Sequence, residues 1–413
     1  MKHRILYVQK TVGGGSIFSL FELVRGINRD LYEPTVLFYQ TNPFITKFQD
    51  IGAKVIVLSE KPENNKVSVQ HISQPKPRNA IVDAIYGNTW IRTNWWEAKQ
   101  VYAVFREDWP IIQRVAQAIE KEKIDLVHHN NSLPGNKAAI LAARRVQVPQ
   151  ICHVRMIHQR LSWVEKQLSR FVDCFVYISN AVQQSYRQSG IVEKAGRVIH
   201  NPIDVDRYTQ PSSAANVRAE FGVTDQDCLI SNVGRLDWWK GHDFFLQAVA
   251  QLIQAHPNSK VLIVGEANNR PSNQAYLQKL HRLVHDLNLS KHVVFTGFRA
   301  DIPTIMQASD MIVHSASQPE PFGRVIVEGM AAGRPVIATA AGGVLDIIDD
   351  QVTGLLVAPQ DINAMAQAMI YLVQHPDRAG EIGRQGQIEA QRSFTVGQHV
   401  LAVQDIYSHF LMN

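Results

Sequence analysis

Glu320 and Glu328 stand eight positions apart in SASQPEPFGRVIVEGMAAGRPVIA, residues 315–338. One precedes a Pro-Phe-Gly turn, and the other lies inside an apolar stretch that ends at Gly333. Glutamate is among the residues least often buried without a partner, so two of them around the start of a buried helix need a reason. Pro321 pushes Glu320 towards extended geometry. The pattern predicts a helix from about Phe322 to Ala332, with Gly333 as its terminating glycine and Pro335 as its stop. Glu320 then stands in the loop ahead of the helix, beside the free backbone N–H groups of Gly323, Arg324 and Val325. Ionised carboxylates only accept hydrogen bonds, which suits polyol hydroxyls, and a helix N-terminus suits a phosphate. Together they would hold a sugar, a phosphate and a ribose in a row. The competing reading makes Glu320 a carboxylate favoured by the helix dipole and pairs Glu328 with a nearby cation.

Two further stretches carry chemistry. In ISNVGRLDWWKGHDFF, a strand is followed by Arg235 and, five positions on, Lys240, before a helix from about Asp243. A guanidinium fork and a point-charge ammonium in one loop can converge on a polyanion; as surface groups they would merely be solvated. In TVGGGSIFSLFELVRG, the strand Ile5–Val8 leads through Gly13, Gly14 and Gly15 into a helix from about Ser16. Glycines there let a ligand approach the backbone, or simply make a tight turn. The spacing is not the dinucleotide-binding fingerprint, and no acidic residue ends the second strand.

The elements that must position these residues are short β-branched strands alternating with helices. Strands are predicted at Ile5–Val8, Thr35–Tyr39, Val55–Leu58, Asp125–His128, Gln150–Val154, Cys174–Ile178 and Val198–His200. A second set falls at Cys228–Val233, Lys260–Val264, His292–Thr296, Met311–His314, Val336–Ala338 and Gly354–Val357. Near-continuous apolar strands separated by helices predict parallel sheets covered on both faces. Two such sets in 413 residues predict two doubly wound α/β domains, with Thr209 to Ala215 as the linker. Ligands of such sheets bind at the carboxyl ends of the strands, and every candidate above follows a strand.

The bulk numbers set limits. The initial apolar run, Ile5 to Val8, is shorter than a secretory core, and no run approaches a membrane span. Cys152, Cys174 and Cys228 are odd in number and far apart, so a cytoplasmic protein with reduced thiols is expected. Residues 1–205 hold 27 Lys and Arg against 17 Asp and Glu, whereas 206–413 hold 15 against 20. The basic first half suggests an anionic partner or surface, or ordinary variation in surface charge. The basic residues are dispersed and no nucleic-acid motif appears, so nucleic acid is not an expected partner.

GRLDWWKG, followed about eighty residues later by EPFGRVIVEGMAAGRPVIATAAGG and then DDQVTGLLVAPQD, resembles the donor-binding half of the family 4 retaining glycosyltransferases. The resemblance is specific over most of residues 196–370. It continues more loosely through 1–60 and 124–206, in GGGS, HVR and HNPIDVDRY, and is poor over about 61–120. It implies the GT-B architecture: two Rossmann-like domains facing across a cleft. Residues 1–205 would bind acceptor, residues 206–395 would bind the nucleotide sugar, and a C-terminal helix at 396–413 would return to the first domain.

The resemblance also implies roles. Arg235 and Lys240 would neutralise the donor diphosphate, and Gly14 and Gly15 would close over it. Glu320 would contact the sugar hydroxyls at the reacting face. The backbone of Phe322, Gly323, Arg324 and Val325 would hold sugar and phosphate, and Glu328 the ribose. His153, in CHVR, would stand beside the reactive sugar, although His158, His128 and His129 are near in sequence. Phe298 and Arg299 would meet the base. Gly329 and Asp346 depart from the family's usual alanine and glutamate. A helical glycine in place of alanine costs up to about 1 kcal/mol.

The implied reaction is transfer with retention. Arg235, Lys240 and the helix N-terminus would stabilise the departing phosphate without a metal or resident cofactor. Glu320 is the sole obvious nucleophile for a double displacement, but in the family it binds hydroxyls, so same-face attack is favoured. The expected partners are a nucleotide-sugar donor and a glycan, lipid-linked or small-molecule acceptor. The stretch NTWIRTNWWEAKQVYAVFREDW interleaves Trp90, Trp95, Trp96 and Trp109 with Arg92, Lys99 and Arg106. Three readings stand for it: stacking on an acceptor sugar, peripheral docking on an anionic membrane, or a seam packed within its own domain. A nucleotide-sugar epimerase or a phosphorylase on the same architecture is the alternative enzyme, and a nucleic-acid-binding protein the remote one.

Overall fold

The computed structural model describes residues 2–11, 14–59, 89–158, 160–210 and 212–412. Gly13 of the glycine turn, Pro211 of the expected linker and the side chain of Trp90 lie outside them. By its contacts the chain divides into two compact units. The first comprises Met1–Ile178, Val182–Ile199 and Val400–Asn413, and the second Ser179–Ala181 and His200–His399.

The first unit is built on a seven-stranded parallel sheet: β1 (His3–Gln9), β2 (Tyr32–Phe38), β3 (Lys54–Val57), β4 (Leu126–Asn131), β5 (Gln150–Val154), β6 (Cys174–Tyr177) and β7 (Gly196–Val198). Their order is β3-β2-β1-β4-β5-β6-β7. Leu6 and Val8 of β1 and Val127 of β4 are buried against the helix Trp109–Glu122 through Ile112, Val115, Ala116 and Ile119, whose three- and four-residue spacing makes one apolar stripe. The C-terminal part of helix Val396–Leu411 belongs to this unit. Tyr407 is fully buried there, its hydroxyl 2.6 Å from His128 Nδ1 and 3.3 Å from the Tyr7 hydroxyl.

The second unit has a six-stranded parallel sheet: β8 (Cys228–Val233), β9 (Ser259–Val264), β10 (Val293–Gly297), β11 (Met311–His314), β12 (Val336–Thr339) and β13 (Leu355–Val357). Their order is β10-β9-β8-β11-β12-β13. Both faces are apolar. Ile230, Val261 and Ile263 join one cluster with Phe245, Leu246, Val249 and Leu252 of helix His242–Ala255. Their neighbours Leu229, Leu262 and Val264 join another with Ile305 and Ala308. Alternate residues bury against opposite layers, which is why the strands read as unbroken apolar runs.

All thirteen expected strands are present, their ends shifted by a few residues at most. Two expectations need correction. The helix expected from Phe322 starts at Arg324: Phe322 is buried in the preceding loop, and Gly323, at φ 109°, turns the chain into Arg324–Ala331. Nor is Thr209 to Ala215 the boundary, because the second unit already begins at His200. Residues 203–208 pack within it: Ile203 N donates to Phe394 O at 2.8 Å, and Tyr208 O accepts from Gln307.

Candidate functional site

In a doubly wound sheet the order of strands reverses at one point, and the loops leaving the two strands there diverge into a crevice. In the second unit that point lies between β8 and β11. The loop after β8 carries Arg235 and Lys240; the loop after β11 carries Glu320. Ser315 Oγ donates to Lys240 O at 3.0 Å and accepts from Asn232 Nδ2 at 2.9 Å, while Ser317 N donates to Trp239 O at 2.8 Å. Gly241 allows this closeness. Its φ is 68°, and a Cβ there would lie 2.0 Å from Ser315 O.

The clamped loops bring Lys240 Nζ to 2.6 Å from Glu320 Oε2. His314, the last residue of β11, puts Nε2 at 3.3 Å from the same oxygen. All three side chains are largely buried. Burial alone would raise the Glu320 pKa, but the Lys240 charge and the His314 and Lys240 hydrogen bonds outweigh it and hold the carboxyl down to about 2. Glu320 is therefore ionised. It does not cap the helix, which has no side-chain cap. From the far side, the glycine pair after β12 locks its backbone: Gly343 N donates to Glu320 O at 2.7 Å, and a Cβ on Gly342 would lie 2.2 Å from that oxygen.

Glu328 lies one turn further into the helix. Its Oε1 is 3.4 Å from Arg324 Nη2, and its charge lies close to the Tyr208 hydroxyl. Burial first, then the Glu328 charge, raises the Tyr208 pKa. Arg324 also donates from Nη1 to Pro202 O at 2.8 Å. Its guanidinium thus braces Glu328, and its backbone N–H remains at the helix N-terminus. Phe322 turns its ring inward, 5.8 Å from that of His200 and 5.9 Å from that of Phe394, so its backbone is what the site can use. Gly329 is where the helix meets the sheet. A Cβ there would be 3.1 Å from both Ile312 Cγ1 and Val336 Cγ2, so the missing methyl reflects close packing on β11 and β12.

The remaining candidates in this unit do not join the cluster. Arg235 is well exposed and pairs with Asp237 at 3.2 Å. Phe298 and Arg299 follow β10, at the sheet edge, with β9 and β8 between them and β11. Arg299 is held by both Glu220 and Asp301 at 2.6 to 3.0 Å, and those hydrogen bonds raise its pKa. Phe298 is 71% exposed.

In the first unit the reversal lies between β1 and β4. Gly14, at φ 94°, precedes the helix Gly15–Gly26, and among the described residues nothing lies within 4 Å of where its Cβ would stand. A directional polar chain runs beneath. Gln9 donates to Thr11, Asn130 donates to Gln9 Oε1 at 2.6 Å, and Arg155 Nε donates to Asn130 Oδ1 at 2.8 Å. Arg155 Nη2 lies 3.2 Å from His153 Nδ1. His153 is fully buried on β5 and ends this chain. His128 and His129 are buried on β4; burial drives His129 down to about 4 although its Nε2–H donates to Gln150 Oε1 at 2.8 Å. His158 is also lowered by burial and stacks edge-on to Tyr186.

The Trp-rich stretch forms the helix Thr89–Ala103, a π-helical turn at Val104–Asp108 and the start of Trp109–Glu122. Only part of it packs inward. Trp96 lies under the Arg160 guanidinium at 4.9 Å, whereas Trp95, Tyr102, Phe105 and Trp109 are exposed. No helix among the described residues is long and apolar enough to cross a membrane.

Sequence reasoning missed His314, Tyr208 and the chain from Gln9 to Arg155. A polar residue at the last position of an apolar strand was the available signal for His314.

Comparison with known proteins covers nearly the whole chain. Residues 214–388 match the family described as Glycosyl transferases group 1, and residues 13–207 match Glycosyltransferase Family 4. EpsD of Bacillus subtilis, provisionally named a glycosyltransferase, is 27% identical over 318 residues, 73% of this chain and 81% of EpsD. The D-inositol 3-phosphate glycosyltransferase of Corynebacterium jeikeium is 36% identical over 187 residues, 44% of each chain. Among solved structures, Anabaena Alr3699/HepE in complex with UDP-glucose is similar with a TM-score of 0.77 and 25% identity, covering 98% of this chain and 99% of that one.

Proposed function

From a chain that belongs to the family 4, group 1 glycosyltransferases, we propose an enzyme that moves a sugar from a nucleoside-diphosphate sugar to an acceptor hydroxyl with retention at the anomeric carbon. The observation that carries this is the Glu320–Lys240–His314 cluster at the strand-order reversal of the second unit, immediately ahead of a helix N-terminus. Glu320 accepts from donor-sugar hydroxyls. Lys240, Arg235 and the backbone N–H groups of Gly323, Arg324 and Val325 receive the diphosphate, and Glu328 accepts from the ribose. The resemblance to the UDP-glucose complex of Alr3699/HepE makes UDP the first nucleotide to try.

Arg235, Lys240 and the helix dipole stabilise the charge that develops on the departing phosphate, so the reading assigns no step to a metal or resident cofactor. Glu320, already held by two donors, serves as a hydroxyl acceptor and not as a nucleophile. The acceptor hydroxyl attacks from the face the phosphate leaves, and its proton passes to the phosphate oxygen. Phe298 and Arg299 contact the base.

On the acceptor side, Arg92, Trp95, Lys99, Tyr102, Arg106 and Trp109 alternate basic and aromatic at spacings of three and four, and all are exposed. Aromatic rings and cations on one helical stripe suit the headgroup layer of an anionic lipid surface. Such a surface would present a lipid-linked acceptor. Co-sedimentation with anionic vesicles tests the docking; full recovery in the supernatant would refute it.

The test of the reaction is NMR of products formed from a UDP-sugar in wild type and Glu320→Gln. Retained anomeric configuration, with turnover lowered far more than donor affinity in the variant, is expected. Near-normal turnover in Glu320→Gln would overturn the assignment.

A further inference from the structure

The two donors to Glu320 share one oxygen. Lys240 Nζ and His314 Nε2 both address Oε2. A carboxylate cannot donate, so His314 must present Nε2–H. The two donors differ in how firmly they are held. His314 closes β11, is paired through its backbone with Ala338 of β12, and has a side chain only 4% exposed. Lys240 ends the short 3-10 turn Trp238–Lys240, outside the sheet, and reaches Glu320 on a four-carbon stem, with its ammonium over the Trp239 ring at 4.3 Å.

We infer that His314 is the residue that positions Glu320 during turnover. It holds Oε2 from the fixed end of a central strand and thereby presents Oε1 to the donor sugar. It keeps that hold when Lys240 turns from the carboxylate to the incoming diphosphate. A lysine that served both the carboxylate and the phosphate could not by itself keep Glu320 aligned at the moment the phosphate leaves. The inference rests on the donor reading above for its function, but not for its geometry.

The experiment has two arms. In the first, proton NMR follows the ring N–H of His314, assigned by its absence in His314→Gln. A slowly exchanging N–H that shifts in Glu320→Ala is expected. A resonance indifferent to Glu320→Ala would overturn the clamp whatever the enzyme's donor. In the second arm, release of UDP from UDP-glucose is measured in His314→Leu and His314→Gln, beside the thermal shift given by UDP. His314→Leu should lower kcat about 10- to 100-fold, the usual worth of a hydrogen bond to a charged group. The KM for UDP-glucose and the UDP shift should change little. His314→Gln, which retains an N–H donor, should recover most of the loss. Unchanged kcat in His314→Leu, or no recovery in His314→Gln, contradicts the positioning role. A wild type that neither responds to UDP nor releases it counts against the donor reading, and the resonance arm then decides on His314 alone.

Discussion

Lys240 Nζ and Glu320 Oε2, 80 residues apart in sequence, lie 2.6 Å apart in the folded second unit. Neither loop makes this contact alone. It exists because β8 and β11 are neighbours at the reversal of strand order, and because Gly241 and Gly342 admit backbone oxygens where a methyl would stand.

That contact predicts an acid limb in stability. Glu320 titrates at about 2 in the folded state against an ordinary 4.5. A depressed carboxylate stabilises the fold above its unfolded pKa and loses that contribution as pH falls through the folded one. The contribution is on the order of 3 kcal/mol. The advantage of wild type over Glu320→Gln in urea denaturation should therefore shrink by about that amount between pH 4.5 and pH 2. A difference independent of pH would contradict the ion pair.

Gly241→Ala should be far more damaging than Gly14→Ala. The first adds strain at φ 68° to a contact 2.0 Å from Ser315 O; a loss above about 3 kcal/mol is expected. The second adds strain at φ 94° in open space, costing about 1–2 kcal/mol. Urea denaturation of both variants checks the contrast.

Arg324→Ala should weaken nucleotide binding about 10-fold while leaving the fold intact. The side chain links Pro202 O to Glu328, and its removal frees Glu328 from one of its partners. Losing a hydrogen bond to a charged group costs about 1.5 kcal/mol or more. Calorimetric titration with UDP measures the change; unaltered affinity would mean that the brace is idle.

Tyr407→Phe should destabilise the first unit by about 1–3 kcal/mol. It strands His128 Nδ1 and the Tyr7 hydroxyl, both buried, without the hydroxyl they meet. Faster amide exchange in β1 and β4 would report it.

The strands and their two-set organisation were legible because a parallel strand buried on both faces is a short apolar run, as in Leu229 to Ile230 and Val261 to Val264. Glu320, Glu328 and Lys240 were legible because a proline, a glycine and a strand end fixed where each stood. The start of helix Arg324–Ala331 was not, since a Pro-Phe-Gly sequence does not say at which residue the chain takes the left-handed turn; in the fold it is Gly323, at φ 109°, where a Cβ would lie 2.8 Å from Ile326 Cδ1. His314 was missed because a single histidine in sequence does not announce a carboxylate six residues on that folds back to it. The linker was misplaced because Pro, Ser and Ala mark a turn equally well inside a unit and between units; the packing of Ile203 and Tyr208 decides which.

The most direct test of a nucleotide-sugar site at this cluster is thermal denaturation with UDP, GDP, ADP, CMP and dTDP at millimolar concentration. A ligand at 100 times its Kd adds about 2.7 kcal/mol, a readily measured shift. The account predicts that UDP stabilises the wild type and that Glu328→Ala abolishes the shift. No shift with any nucleotide, or an equal shift in Glu328→Ala, would contradict it.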